Sequence, residues 1–359
     1  RLIPLAPFSS KMPQEPPPPR TGDILSQQWD RLALADAEAI MREVYGIEGS
    51  AHALSSERDE TFRIAGRDGR AFTLKVAGPA EDAAALRFQD DVLLHLAATA
   101  PALPVPRVVP ALEGGSCLRL DHGPARGRIV RLLTYLEGEQ QHRTPPSPAQ
   151  AGNIGRMLAA LAAALSRFDG RPPAVRLLWD ISHALDLADL LGAVDASRRP
   201  AIEAVLDEFG RSVPPLAGVL RRQVIHNDFN PHNILIDPAA PTKIAGIIDF
   251  GDMVFAPLVN DLAIAAAYHL AGDDWATLAG ALIAGFHGKL PLRREEADVL
   301  PVLIKARLAT TIVIGEWRAA DRPLERDYIL RNHAAAWRGL QRLSALSPAD
   351  LTRLVPGVS

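Results

Sequence analysis

Residues 226–237 read His-Asn-Asp-Phe-Asn-Pro-His-Asn-Ile-Leu-Ile-Asp, and residues 243–251 read Lys-Ile-Ala-Gly-Ile-Ile-Asp-Phe-Gly. The first stretch spaces His226, Asp228 and Asn233 as His-x-Asp-x-x-x-x-Asn; the second ends in Asp249, Phe250 and Gly251. Val224 and Ile225 enter the loop as an apolar strand end, and Ile234, Leu235 and Ile236 leave it as another. A turn at Pro-Ala-Ala-Pro then leads to Ile244–Ile248, a β-rich run that delivers Asp249. The polar groups therefore sit on a loop and at a strand end. Phosphoryl transfer from a nucleotide needs little covalent help and much positioned charge. One carboxylate accepts the proton of the attacking hydroxyl, while an amide oxygen and a second carboxylate hold Mg²⁺ against the phosphates. Asp228 is read as the base, and Asn233 and Asp249 as the metal ligands. Asx turns also place Asp and Asn in loops, but turn chemistry does not account for the Asp-Phe-Gly downstream. His226 is expected to hold the loop by hydrogen bonds, and His232 to face solvent or donate locally.

The same chemistry needs a cation near the phosphates, supplied from a strand. Phe62 and Ile64 alternate before a turn at 67–69, and Phe72, Leu74 and Val76 alternate after it, which predicts a β-hairpin. Lys75 stands between apolar neighbours on its second strand. That is unusual unless the ammonium reaches a partner, although edge strands also carry surface Lys. The helix expected from about Ala80 to Ala98 should orient this Lys. Gln89 occupies the matching position; it accepts a hydrogen bond without supplying charge. Asp90 and Asp91 are alternatives that lie on other helix faces. No glycine-rich phosphate loop is present, so Ser56 and Arg58 are the candidates to meet phosphates.

Further strands are predicted near 116–121 and 128–134, with a hinge at 136–138. Helical patterns follow at 148–168, 179–191, 198–209, 260–270, 275–287, 294–315 and 328–346, and one precedes the hairpin at 30–45. The fold class is α+β: a bilobal, protein-kinase-like arrangement. The expected division is a Pro-rich extended tail over 1–22, a nucleotide-binding lobe with an antiparallel sheet and helix over 23–136, and a mainly helical catalytic lobe over 137–359. Asp261 opens an apolar helix and either caps it or braces the catalytic loop.

The 359 residues are 48% hydrophobic, enough for one large or two ordinary domains. A net charge of −3 argues against a nucleic-acid footprint. The single Cys117 excludes an internal disulfide framework and suits a reducing, cytoplasmic setting. No apolar run reaches transmembrane length. The His residues form no ligand cluster, and there is no Gly-x-Ser-x-Gly elbow.

The stretches His-Asn-Asp-Phe-Asn-Pro-His-Asn-Ile-Leu and Ile-Ile-Asp-Phe-Gly-Asp resemble the catalytic and metal loops of the aminoglycoside phosphotransferase and choline kinase superfamily. Asn227 stands where protein kinases have Arg, and no Ala-Pro-Glu segment occurs. Within the superfamily, Ser-Glu-Arg-Asp-Glu-Thr-Phe, Arg-Leu-Leu-Thr-Tyr-Leu-Glu-Gly and Gly-Ile-Ile-Asp-Phe-Gly-Asp-Met look most like the hydroxylysine kinase subfamily, over most of residues 30–345. Gln89 in the lysine-orienting position fits that subfamily too. The resemblance implies ATP or GTP as donor, Mg²⁺ as cofactor, and Thr134, Tyr135 and Leu136 as hinge groups for the base. It implies an amine-bearing small-molecule hydroxyl as acceptor, with an aminoglycoside or other amino-alcohol kinase, or a pseudokinase-like binding module, as alternatives. An ammonium would call for Asp252, Glu316 or Asp321; an amino-acid carboxylate would call for Arg307 or Arg318. Similar domains occur fused to class III aminotransferases, so the chain is expected to be part of such a fusion or a homodimer.

Overall fold

The computed structural model describes residues 31–56, 58–173, 176–347 and 350. The expected Pro-rich tail over 1–22, and Glu57 within the hairpin region, lie outside the described residues. The chain divides into two compact units. One runs up to Glu137 and takes in Gly170–Arg176; the other comprises Gly138–Asp169 and the chain from Leu177 onward.

The first unit opens with helix α1 (Leu34–Tyr45), closed by Gly46 in the left-handed conformation at φ 65°. Strands β1 (Gly49–Leu54), β2 (Asp59–Gly66) and β3 (Ala71–Ala77) follow, then helix α2 (Ala83–Thr99), capped by the Asp82 carboxylate. Short strands β4 (Val108–Val109) and β5 (Leu118–Arg119) precede β6 (Ile129–Thr134). The sheet order is β1-β2-β3-β6-β4, with β5 also on β6, and every pairing is antiparallel. The alternation seen in the sequence works as expected. Phe72, Leu74 and Val76 turn to one face and join Met41, Ile64, Val130 and Leu132 in a core under α1. The other face of β3 carries Thr73 and Lys75. β1 was not legible, because only Ala51 of its six residues is buried.

The second unit begins with β7 (Glu139–Gln140) and α3 (Pro148–Leu165), whose Ser147 cap and first-turn Pro148 are standard starting chemistry. Residues Ile181–Ala193 form 3₁₀ turns instead of the expected α-helix, since His183 leaves helical geometry at φ −111° and ψ 25°. Then come α4 (Arg199–Ser212), β8 (Arg222–Ile225), β9 (Ile234–Asp237), β10 (Ala240–Ile247), β11 (Val254–Pro257), α5 (Val259–Ala267), α6 (Trp275–Lys289) and α7 (Arg294–Asp321). The helix expected at 328–346 is broken into α8 (Arg326–Ile329) and α9 (His333–Ser344). α5, α9 and the 3₁₀ run all pack on α7, which is buried along most of its 28 residues. α3 and α6 approach backbone to backbone: a Cβ on Gly155 would lie 2.0 Å from the Leu282 carbonyl oxygen. Only glycine permits that contact.

Two small antiparallel sheets, β10-β9-β7 and β11-β8, hold the ends of the catalytic stretch. β8 leads into it, β9 leads out, and β10 returns to Asp249. No described helix is long and apolar enough to cross a membrane.

Candidate active site

On the first unit, antiparallel register sets Thr61, Lys75 and Arg131 side by side across β2, β3 and β6. The Lys75 Nζ pairs with Asp59 Oδ2 at 2.9 Å. Asp59 Oδ1 accepts hydrogen bonds from Thr61 Oγ1 at 2.6 Å and from Ser56 Oγ. Burial works against the Asp59 charge, but Lys75 and the two hydroxyls outweigh it, so the carboxyl is held at about 2. Arg131, 3% exposed, donates to Asp90 Oδ1 at 2.7 Å and to Gln89 Oε1 at 2.5 Å. The expectation gave Lys75 to Gln89, with Asp90 and Asp91 as alternatives. Gln89 and Asp90 both meet Arg131, one strand further along, and a carboxylate of β2 meets Lys75. Ser56, expected to meet phosphate, donates to Asp59. Arg58 and Lys75 both act on Glu81, whose carboxyl burial raises. At the end of β6, the Thr134 amide donates to Arg107 O at 2.8 Å and the Tyr135 amide to Ala71 O at 3.0 Å. Those two backbone donors serve the sheet.

The Asp59 arrangement has a pH signature. Its carboxyl lies below the unfolded value near 4, so it contributes stability above pH 4 that is lost as pH falls toward 2. The contribution is about 2 kcal/mol. Asp59→Asn is expected to lower neutral-pH stability by that order and to flatten the acid limb between pH 4 and 2. Chemical denaturation across that range checks it; an unchanged acid limb would show that the pair carries no stability.

On the second unit, the backbone amides of His226 and Asn227 donate to the two oxygens of Asp261, at 2.9 and 2.7 Å. The Asp228 amide donates to His226 Nδ1 at 3.3 Å, so that nitrogen is the acceptor and Nε2 carries the proton. Nε2 faces the Ile248 carbonyl at 3.1 Å. His226 is fully buried, with the Phe250 ring 4.9 Å from its own. The Ile248 amide donates to the Asn233 carbonyl at 2.9 Å. The Ile248 and Phe250 contacts tie the loop at 226–233 to the Asp249 turn, and Asp261 ties it to α5. Asn227 and Asp249 both adopt positive φ, 64° and 63°, which non-glycine residues accept only when their surroundings impose it.

This bracing brings Asp228 and Asn233 together. Asn233 Nδ2 donates to Asp228 Oδ2 at 2.9 Å and to the Asp228 carbonyl at 3.0 Å. Its Oδ1 is thereby turned to the other side of the amide. That oxygen and the Asp249 carboxylate are hard donors of the kind Mg²⁺ takes alongside substrate phosphates. Asp228 Oδ1 receives a hydrogen bond from Arg307 Nη2 at 3.1 Å. The same nitrogen meets the Tyr268 hydroxyl at 3.0 Å, and Nη1 meets the Trp179 carbonyl at 3.4 Å. Sequence reading raised Arg307 only as a distant acceptor-binding candidate; its burial against the base had no local signal.

Tyr268 also lines a cavity of about 280 Å³ with His232, His142, Gln141, His269 and Thr311. His232 is not simply solvent-facing: it is half-buried and lies 4.0 Å, ring to ring, from His142. Burial lowers His232 and His269 to about 4, so both are neutral at pH 7. Glu316, a candidate for ammonium recognition, is held by His333 at 2.6 Å and by the Asp195 amide at 3.3 Å. Asp321 is exposed at the end of α7.

The phosphotransferase enzyme family matches residues 50–299, the span from β1 into α7 that includes Lys75, Asp228, Asn233 and Asp249. The chain belongs to that family. This phosphotransferase is 27% identical over 336 residues to the hydroxylysine kinase of Danio rerio, covering 90% of this chain and 94% of that protein. It is 31% identical over 242 residues to the homoserine kinase of Chelativorans sp. (strain BNC1), covering 62% of this chain and 66% of that one. Among solved structures, it is similar to a microcompartment-associated aminopropanol kinase, with a TM-score of 0.70 at 20% identity. That match covers 90% of this chain and all of the other. The phosphotransferase thus shares with that structure its fold, with an antiparallel sheet in the N-terminal part and a helical C-terminal part. It is a small-molecule kinase, and the expected α+β, kinase-like class is the one observed.

Proposed function

We propose that this kinase transfers the γ-phosphoryl group of a nucleoside triphosphate to the hydroxyl of a small hydroxy amino acid of the 5-hydroxylysine type. The observation that carries the reading is the Asp228–Asn233 contact held beside the Asp249 turn. In the proposed reaction, the acceptor oxygen bonds to the γ-phosphorus as the bond to the nucleoside diphosphate breaks. Asp228 takes the hydroxyl proton, then returns it to solvent. Asn233 and Asp249 hold Mg²⁺, which neutralises charge on the phosphates. Lys75, paired with Asp59, clamps the phosphates, and Arg58 adds charge to the same region. Leu136 offers hinge backbone to the nucleotide base. The length of the match to hydroxylysine kinase supports the acceptor class; the homoserine kinase match supports a hydroxy amino acid more broadly.

The test is transfer by the purified protein with Mg²⁺ and either ATP or GTP, against 5-hydroxylysine, homoserine, choline, 1-aminopropan-2-ol and an aminoglycoside. Phosphorylation of 5-hydroxylysine with the highest kcat/KM is expected. Preference for choline, aminopropanol or the aminoglycoside would move the assignment to an amino-alcohol kinase. Nucleotide binding with transfer to none would leave a binding module.

A further inference from the structure

Arg307 is 6% exposed and sits on α7 against the carboxylate read as the base. Among the described residues its guanidinium, with five donors, has three hydrogen-bond contacts, to Asp228, Tyr268 and the Trp179 carbonyl. The Nε is buried with no hydrogen-bond partner among them. A buried guanidinium in this state is incompletely satisfied and calls for a further acceptor. The Asp228 contact is itself at odds with the chemistry, because the oxygen that holds Arg307 is one that could receive the acceptor hydroxyl. Asp228 and Tyr268 are the more open side of the cluster, with the Asp228 side chain 21% exposed against 7% for Arg307. Asp252 also acts on the Arg307 charge, so a second carboxylate lies in the same neighbourhood.

We infer that Arg307 is the carboxylate-recognition residue of the acceptor site, and that the acceptor's own α-carboxylate replaces Asp228 on the guanidinium. The exchange releases Asp228 Oδ1 to the acceptor hydroxyl. A planar fork suits a carboxylate in two-point contact, which Lys would not reproduce. The acceptor's ammonium then has Asp252 to meet. The inference rests on the hydroxy-amino-acid reading above and deepens it: an amino alcohol without a carboxylate would leave Arg307 on the base and be a poor acceptor.

Steady-state kinetics on two acceptors test this. One is 5-hydroxylysine; the other is 1,5-diaminopentan-2-ol, the same molecule without its carboxylate. Wild type is expected to favour 5-hydroxylysine by about 100-fold or more in kcat/KM, since a site with an unmet buried donor rejects the analogue that leaves it unmet. Arg307→Gln is expected to lose most of its kcat/KM on 5-hydroxylysine and proportionally far less on the diamine, so that the preference collapses. Arg307→Lys should recover only part of it. Equal losses on both acceptors would show that Arg307 serves the base or the phosphate, and would overturn the inference alone. Should Arg307→Gln fail to fold, the wild-type preference still decides: equal use of the two acceptors overturns the inference. Transfer by wild type to neither acceptor overturns the hydroxy-amino-acid reading and the inference with it.

Discussion

Asp228→Asn is expected to lower kcat by roughly 10²–10⁴-fold, the range a positioned general base supplies, while the Kd for a non-hydrolysable nucleotide stays close to wild type. The two effects separate because of where the side chain is anchored. Asn is isosteric with Asp; its one acceptor oxygen can keep one of the two donors that hold the carboxylate, Asn233 Nδ2 or Arg307 Nη2, and the Asn233 contact to the Asp228 backbone carbonyl is untouched. The loop therefore keeps its shape, and the Asn233 and Asp249 oxygens keep their places. What disappears is the capacity to take a proton. Asp228→Ala is the less informative variant. Either variant removes the counter-charge of Arg307, but Ala also leaves the guanidinium no acceptor at this position, and removing one partner of a buried pair outright costs about 3–5 kcal/mol. Its loss of activity would mix unfolding with chemistry. Steady-state turnover on 5-hydroxylysine, paired with calorimetric nucleotide titration, checks the prediction. Full turnover by Asp228→Asn would refute the base assignment.

Much of this site was readable because its determinants are contiguous. His226, Asp228 and Asn233 lie within one loop, and the strands on either side announce themselves by apolar runs. Lys75 was readable for the same reason: an alternating strand makes a lone cation conspicuous. Its partner was not. Asp59 reaches Lys75 only because β2 and β3 pair in the register that sets Thr61 opposite Lys75, and register between strands is decided by turn and core together. Counting along α2 instead led to Gln89, whose observed contact is Arg131. The same limit hid Arg307, 79 residues from Asp228. On α7 every position from 302 to 310 is buried, so helical periodicity gives no polar face from which to pick it out. Glu316 and His333 satisfy each other across two helices, a pairing invisible before α7 and α9 are placed. The break between α8 and α9 was missed because the apolar pattern continues through it.

Asp261→Ala is expected to destabilise the second unit by about 2–6 kcal/mol, since two buried backbone amides lose their acceptor at roughly 1–3 kcal/mol each. For a unit of this size the melting temperature should fall by roughly 5–20 °C. Of the two roles the sequence allowed Asp261, helix cap or loop brace, the contacts favour the brace. It lies within the first turn of α5, but both carboxylate oxygens are spent on His226 and Asn227. Burial raises its carboxyl, against the pull of the two amides, which marks a charge kept inside for a specific purpose. That purpose is local geometry. Asn227 holds φ at 64°, and both polar atoms of its side chain are buried without hydrogen-bond partners among the described residues, so no side-chain hydrogen bond seen there stabilises the turn. The Asp261 contact to its amide is what imposes the conformation, and Asp228 follows directly. Release of the turn should therefore move the base, and kcat should fall at temperatures where the variant is still folded. Asp261→Asn gives the finer measurement: its single acceptor oxygen can satisfy one amide, while its NH₂ opposes the other. It should fall between wild type and Asp261→Ala in both melting temperature and kcat. Wild-type values of both for Asp261→Ala would show that the catalytic loop holds its turn without this carboxylate.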